Sequence, residues 1–263
     1  MTNRHLVRSP VTATQQPVGA PAWVDLGTPD IDAARAFYST VMGWTTTDGS
    51  AEYGGYSTAV HDGDDVAGIG PQAAGAPPAW LLYFATDDAD AAASAISVNG
   101  GTVFMPPHAV GDMGRLVVAA DPTGAVFGLW EAGTMPGFGA TGEPGAWAWC
   151  DLRTDQPDAA REFYGAVFGW EYAAVPMAGE EYTTFTVRVG AAPSGGVGPM
   201  MGHDDVPPHW LNYFAVADVD ASVSAASALG GTVLAPAFDT PFGRMAPIAD
   251  PAGAVLMVMT LPR

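Results

Sequence analysis

The chain contains no lysine. All nine of its basic residues are arginine, so chemistry that depends on a lysine amine is excluded: no Schiff base, no anchored pyridoxal phosphate, no P-loop. Cysteine is nearly absent as well, with Cys150 alone. One thiol can form neither an internal disulfide nor a cysteine-based zinc site, and its place beside Trp149 on an expected strand reads as a packed side chain. No apolar run reaches the length of a membrane span, and the N-terminus lacks the charged-then-apolar order of a signal peptide. Positive charge is scarce too: 9 basic against 28 acidic side chains give a net charge of −19, which repels phosphate backbones and anionic lipid. A cytoplasmic protein is expected, with neither nucleic acid nor membrane as a partner. No G-x-S-x-G motif marks a nucleophile. The histidines His61, His108, His203 and His209 fall in turns, loops or a strand start without H-x-H or H-x-x-x-H spacing.

What is present is a repeat. Trp23 to Trp44, WVDLGTPDIDAARAFYSTVMGW, returns 126 residues later at Trp149 to Trp170 as WCDLRTDQPDAAREFYGAVFGW. Each copy reads as a short strand, a turn holding Pro29 or Pro157, and an amphipathic helix. In the first helix Ala34, Phe37, Tyr38 and Val41 fall at the i, i+3, i+4, i+7 spacing of one apolar stripe. Gly43 or Gly169 then ends the helix. At 263 residues and 48% hydrophobic composition, the chain is long enough for two domains with real cores.

The rest of the first half alternates as strands do. Glu52 to Val60 and Asp65 to Gly70 flank an Asp-Gly turn and predict a hairpin. Trp80 to Thr86 predicts a strand, and Asp88 to Val98 a helix. Thr102 to Met105, Gly114 to Ala120 and Ala125 to Trp130 predict three more strands. The first half is therefore two strand-helix-three-strand units, and the second half repeats them: PPHWLNYF answers PPAWLLYF, and the D-P-A-G-A run at Asp250 answers D-P-T-G-A at Asp121. Residues 1–20 read as a flexible arm. The Gly/Pro-rich stretch 132–145 reads as a linker, including a G-x-G-x-x-G run from Gly137 that no helix follows.

Four such units in two pairs, with D-x-x-x-A-x-x-F-Y…G-W and D-P-x-G-A in each half, resemble the vicinal oxygen chelate superfamily of glyoxalases, bleomycin resistance proteins and extradiol dioxygenases. More narrowly the chain resembles the two-domain glyoxalase-like proteins of actinobacteria. The resemblance implies an α+β fold of tandem glyoxalase-like domains, 21–131 and 146–263. In each domain two βαβββ units form a cupped mixed sheet with helices outside the cup. It also implies the positions at which the metal enzymes of the family carry their ligands. These fall on Trp23, Leu81, Gly128 and the stretch Ala67 to Gly70, and on Trp149, Leu211, Met257 and the stretch Gly195 to Gly198. None of these side chains suits a divalent cation, so no metal and no cofactor are expected.

Alternation shows what stands there instead, because residues two apart share a strand face. The first cup collects Trp23, Asp25, Leu81, Tyr83, Gly128 and Trp130. The second collects Trp149, Asp151, Leu211, Tyr213, Met257 and Met259. Such cups suit a flat apolar molecule, with one carboxylate for its polar group. Aromatic and thioether side chains at this spacing equally suit an ordinary core. Asp25 and Asp151 could pair with Arg115 and Arg244, which recur in G-R motifs and join the candidate ligand-binding residues, or could act as acid and base if desolvated. Three functions follow: a metal-free binder of a small flat aromatic metabolite or antibiotic; a metal-free lyase, isomerase, cyclase or hydroxylase-type enzyme using Asp25 or Asp151; and a metal enzyme of glyoxalase or dioxygenase type, which needs a different register. A monomer or a homodimer fits each.

Overall fold

The computed structural model describes residues 16–175, 181–200 and 206–261. The first half runs β1 (Pro21–Thr28), α1 (Ile31–Met42), β2 (Thr45–Thr46), β3 (Ser57–His61), β4 (Asp64–Pro71), β5 (Ala79–Thr86), α2 (Ala89–Val98), β6 (Thr102–Val110), β7 (Gly114–Ala120) and β8 (Val126–Ala132). The second runs β9 (Trp147–Arg153), α3 (Pro157–Phe168), β10 (Glu171–Ala174), β11 (Thr183–Thr186), β12 (Gly195–Gly198), β13 (His209–Ala215), α4 (Val219–Ala228), β14 (Thr232–Val233), β15 (Phe238–Thr240), β16 (Gly243–Ala249) and β17 (Val255–Met259). Each half is one open sheet, in the orders β2-β3-β4-β1-β5-β8-β7-β6 and β10-β11-β12-β9-β13-β17-β16-β14, with β15 added beside β16. The two units of a half join through their first strands, β1 antiparallel to β5 and β9 antiparallel to β13. Each first strand is parallel to the last strand of its own unit. The tandem α+β architecture expected from the repeat is present.

Local chemistry sets the elements. Asp30, Asp88 and Asp218 cap α1, α2 and α4 by accepting a backbone N–H three residues on, and Gly43 and Gly169 end α1 and α3 at φ 75° and 72°. The D-P-x-G-A turns are held by their aspartates. Asp250 Oδ1 accepts from the N–H groups of Ala252, Gly253 and Ala254, and Asp121 Oδ1 does the same for Thr123, Gly124 and Ala125. Two extents differ from expectation. The strand expected from Glu52 starts only at Ser57, because Gly54 and Gly55 take φ of 66° and 92° and turn the chain first. β6 runs on to Val110 through Pro106 and Pro107, which an edge strand tolerates because one row of its N–H groups has no partner strand.

The helices stand outside the cups, at the waist of the molecule. α1 packs on α4 and α2 on α3, so the backs of the two sheets face one another. Phe84 and Phe214, both fully buried, cross the waist: Phe84 meets Trp210 with ring centroids 5.0 Å apart, and Phe214 meets Trp80 at 4.9 Å. Polar bonds fix the register. Tyr38 on α1 donates to Asp250 of the other half (3.2 Å) and accepts from Trp80 Nε1 (3.2 Å). Trp44 Nε1 donates to Gly145 O and Trp170 Nε1 to Gly19 O, each across the waist.

Those last two bonds tie down the ends of the expected arm and linker. The end of the expected flexible arm is packed, since Gly19 N donates to Ala85 O and Ala20 is buried; residues 1–15 lie outside the described residues, as does His203. The expected linker is packed too. Phe138 N and Gly139 N donate to Ala22 O and Asp65 O. The Phe138 ring stacks on Trp147 (5.3 Å) and tilts against Trp23 (5.6 Å). Phe138, with these backbone bonds and the bond from Trp130 Nε1 to Met135 O, makes the Gly/Pro-rich segment part of the core. Among the described residues, no helix is long and apolar enough to cross a membrane.

Candidate functional site

In the first cup, β1 lies between β4 and β5, with Asp25 opposite Gly68 on one side and Leu81 on the other. Trp23 pairs with Tyr83 in the same register, and Tyr83 with Gly128. Pairing thus gathers Trp23, Asp25, Leu81, Tyr83, Gly128 and Trp130 on one face, as alternation required. At its centre is a four-residue cluster. Trp23 Nε1 donates to Asp25 Oδ1 (2.8 Å), and Tyr56 OH donates to the same oxygen (2.7 Å). Trp23 Nε1 also reaches Tyr56 OH (3.1 Å), and the Tyr83 phenol stands near enough to Asp25 to act on its charge. Burial raises the pKa of Asp25, and these three neighbours oppose the rise without cancelling it. Burial also pushes the Tyr56 and Tyr83 phenols well up, and the neighbouring Asp25 charge adds to it.

The second cup repeats the cluster and adds a cation. Trp149 Nε1 (3.0 Å) and Tyr182 OH (2.7 Å) donate to Asp151 Oδ1, and Tyr213 OH (2.7 Å) donates to Asp151 Oδ2. Arg153 Nη2 forms an ion pair with Asp151 Oδ2 at 2.6 Å, with side chains only 14% and 4% exposed. Its guanidinium lies 5.6 Å from the centre of the Tyr182 ring. Burial works against the Arg153 charge, but Asp151 beside it more than offsets this and its pKa is raised. Burial drives the Tyr182 and Tyr213 phenols upward, Asp151 adding to it. Met257 and Met259 pack with Tyr213 into a small core of their own, against Trp149 and Leu211.

Arg115 and Arg244, expected beside the two aspartates, stand on the opposite faces. Arg115 is opposite Glu131 in the β7–β8 ladder and bonds Glu131 (3.2 Å) and Asp90 (2.8 Å). Arg244 bonds Asp220 and Asp239. Both clamp the first turn of a helix to the back of the sheet, because odd and even positions of a strand face opposite ways. Cys150 faces that same back layer, where it is fully buried and burial raises its thiol pKa.

Three members of the clusters were not singled out in the sequence: Tyr56, Tyr182 and Arg153. The signal existed. Tyr56 and Tyr182 recur at the repeat spacing, and Arg153 lies two residues from Asp151 and so shares its face. The two tyrosines sit on loops ahead of a strand, where alternation gives no direction.

The residues at the family's ligand positions do not fit a divalent cation. Trp23, Leu81, Trp149, Leu211 and Met257 offer no hard oxygen or nitrogen donor. At Gly68 and Gly196 any side chain would collide with Tyr56 and Asp25, or with Tyr182 and Asp151; at Gly128 it would collide with the Tyr83 ring. Among the described residues no group of three His, Cys, Asp or Glu side chains could hold an ion. The cup floors are filled by their own rings: Trp23 is 3% exposed, and Tyr83, Trp130 and Tyr213 are buried. Leu81, Tyr56 and Leu116 form a half-buried wall above the first floor, and Trp149, Tyr182 and Leu211 above the second. Two cavities lie elsewhere: a groove of about 500 Å³ between α2 and β6, and one of about 230 Å³ at the waist beside His61 and Gly145.

The family model for the glyoxalase/bleomycin resistance protein/dioxygenase superfamily matches residues 20–129 and 147–258, one match per half. The chain is 42% identical over 251 residues to CFP32 of Mycobacterium tuberculosis, named as a glyoxylase, and 41% identical over 261 residues to the anthracycline biosynthesis protein DnrV of Streptomyces peucetius. Each alignment covers 92% of this chain and 94% of the relative. Among solved structures it is similar to the Mn(II)-bound glyoxalase of Novosphingobium aromaticivorans (TM-score 0.65, 17% identity, 93% of this chain and 82% of that one). It is also similar to the 2,3-dioxygenase LapB of Pseudomonas sp. KL28 (TM-score 0.63, 14% identity, 95% and 96%). At those identities the structural likeness carries the fold alone. Two matched repeats covering most of the chain, together with full-length relatives, make this protein a member of the glyoxalase/bleomycin resistance protein/dioxygenase superfamily.

Proposed function

We propose that the protein binds a small planar aromatic molecule in its first cup without a metal ion, and holds one polar group of it on Asp25. One observation carries the reading: where metal enzymes of this fold place ligands, this chain has rings, aliphatic groups and glycine, organised around a carboxyl that accepts from Trp23 and Tyr56. Aromatic walls stack on flat molecules, and a single enclosed acceptor orients them. A full-length relative named for anthracycline biosynthesis supports a flat polycyclic ligand. We place the protein in the cytoplasm, as a monomer or homodimer whose partner is this small molecule rather than nucleic acid or membrane; its charge of −19 supports that exclusion.

The test is a titration of chelator-dialysed protein with 1,8-dihydroxyanthraquinone, followed by tryptophan fluorescence. Saturable one-to-one quenching that chelator leaves unchanged, weakened about tenfold by Trp23→Phe, is the expected result. Stoichiometric metal in the purified protein, or binding lost on chelation, would sink the reading.

A second reading is favoured by the raised pKa of Asp25. A desolvated carboxyl can move a proton on a bound substrate, as in a lyase, isomerase or cyclase. Asp25→Asn that keeps affinity and abolishes turnover would establish it.

A further inference from the structure

The two halves differ at one place that bears directly on charge. In the second cup Arg153 follows Asp151 by two residues, shares its strand face and neutralises it. The repeat puts Gly27 at that position in the first cup, and opposite these two residues in the ladders stand His209 and Ala79 respectively. The strip of cup face that carries two basic side chains in one half is therefore bare in the other. The residues beneath it correspond one to one, Trp23 for Trp149, Tyr56 for Tyr182 and Tyr83 for Tyr213, although Tyr213 donates to Asp151 at 2.7 Å and Asp151 is the more deeply buried acid. Among the described residues no basic side chain pairs with Asp25.

A second, independent observation lies beside Gly27. Gln72 passes within 3.3 Å of the point where a Cβ on Gly27 would stand, and its Oε1 is buried without a hydrogen-bond partner. The bare strip thus borders a half-buried carboxyl that has neutral donors but no cation, and an amide oxygen without a donor. A cationic donor between them would serve both. The second cup shows the chemistry that fills such a place: a flat cation, within reach of the carboxylate and over the face of the tyrosine.

Building on the reading of the first cup as an aromatic site, we propose that its ligand is a planar aromatic carrying a protonated amine, whose cation takes over Asp25 the place that the Arg153 guanidinium takes over Asp151. The rings of the ligand lie against Leu81 and Tyr56 at the wall, and the ammonium donates to Asp25 and to Gln72 Oε1. The chain's net charge of −19 raises the local concentration of such cations and discourages anionic analogues. The self-neutralised second cup has no such preference.

The experiment compares three probes of one shape by calorimetry at neutral pH: 2-(aminomethyl)naphthalene, 2-naphthalenemethanol and 2-naphthoate. The ammonium is expected to bind one site at least about tenfold more tightly than the alcohol, and the carboxylate most weakly. Asp25→Asn should weaken the ammonium far more than the alcohol and bring the two within about twofold of each other, with circular dichroism showing a folded chain. Gly27→Arg should abolish ammonium binding, with circular dichroism showing a folded chain; if that variant does not fold, Asp25→Asn decides alone. Equal affinities for ammonium and alcohol in the unaltered protein would overturn the proposal while the planar-aromatic reading stands. An ammonium preference that survives Asp25→Asn would overturn it too, as an effect of bulk charge. Saturation by none of the three probes would overturn both.

Discussion

The two cups are built on one pattern and solve the same electrostatic problem differently. Each encloses a carboxyl among a tryptophan and two tyrosines. In the second, Arg153 neutralises Asp151 from within the chain. In the first, Gly27 leaves Asp25 to its neutral donors, and burial raises its pKa. A duplication supplied two copies of a cluster, and one residue decided whether the charge was satisfied internally or left for something outside. The second cup is thus complete in charge, while the carboxyl of the first has neutral donors only, and that difference is what the proposed ligand would use.

The largest effects should come from breaking the internal pair. Asp151→Asn removes the partner of a 14% exposed guanidinium and the charged acceptor of two phenols, and should lower unfolding stability by about 3–4 kcal/mol in urea titration. Arg153→Gly turns the second cup into a copy of the first and should cost about 2–3 kcal/mol, less because a carboxyl can take up a proton and an arginine cannot give one up. A loss below about 1 kcal/mol for both would show that the pair is not what distinguishes the cups.

Smaller changes sharpen the contrast. Tyr213→Phe deletes a hydrogen bond to an ionised carboxylate and should cost about 1.5–3 kcal/mol, whereas Tyr83→Phe, beside the unpaired acid, should cost about 1 kcal/mol. Equal losses would mean that the Arg153 pair does not strengthen the Tyr213 bond to Asp151. Asp25→Asn should change stability least, by about 1 kcal/mol or less, and with a definite sign against pH. The folded state holds the Asp25 proton more tightly than the unfolded state, so stability from this group falls as pH rises from the ordinary carboxylate value of 3.8 through the raised folded value, then levels off. The variant should therefore gain on the parent across that window. Stability curves that stay parallel from acid to neutral pH would remove the burial argument for Asp25.

Much of this was legible in the chain. The repeat gave two halves of two units each. Helical and strand periods placed most elements, and alternation, with the register implied by the family resemblance, put Trp23, Asp25, Tyr83 and Trp130 on one face and Trp149, Asp151, Tyr213 and Met257 on another. Arg153 was within reach of the same rule. Arg115 and Arg244 were misread because a recurring motif showed that they matter without showing which face they occupy; the ladder pairs Arg115 with Glu131, on the back of the sheet.

What the sequence determined by itself is the local periodicity: which residues form most strands and helices, which residues of one strand share a face, and that everything happens twice. That information lies within a few residues and needs no knowledge of distant contacts. Tertiary structure alone decided what came from far along the chain. Tyr56 reaches Asp25 across 31 residues through a glycine turn, Phe138 pins an apparent linker beneath Trp23, and Tyr38 bonds Asp250 from the other half. Those contacts depend on how loops close and sheets pack, which no local period encodes.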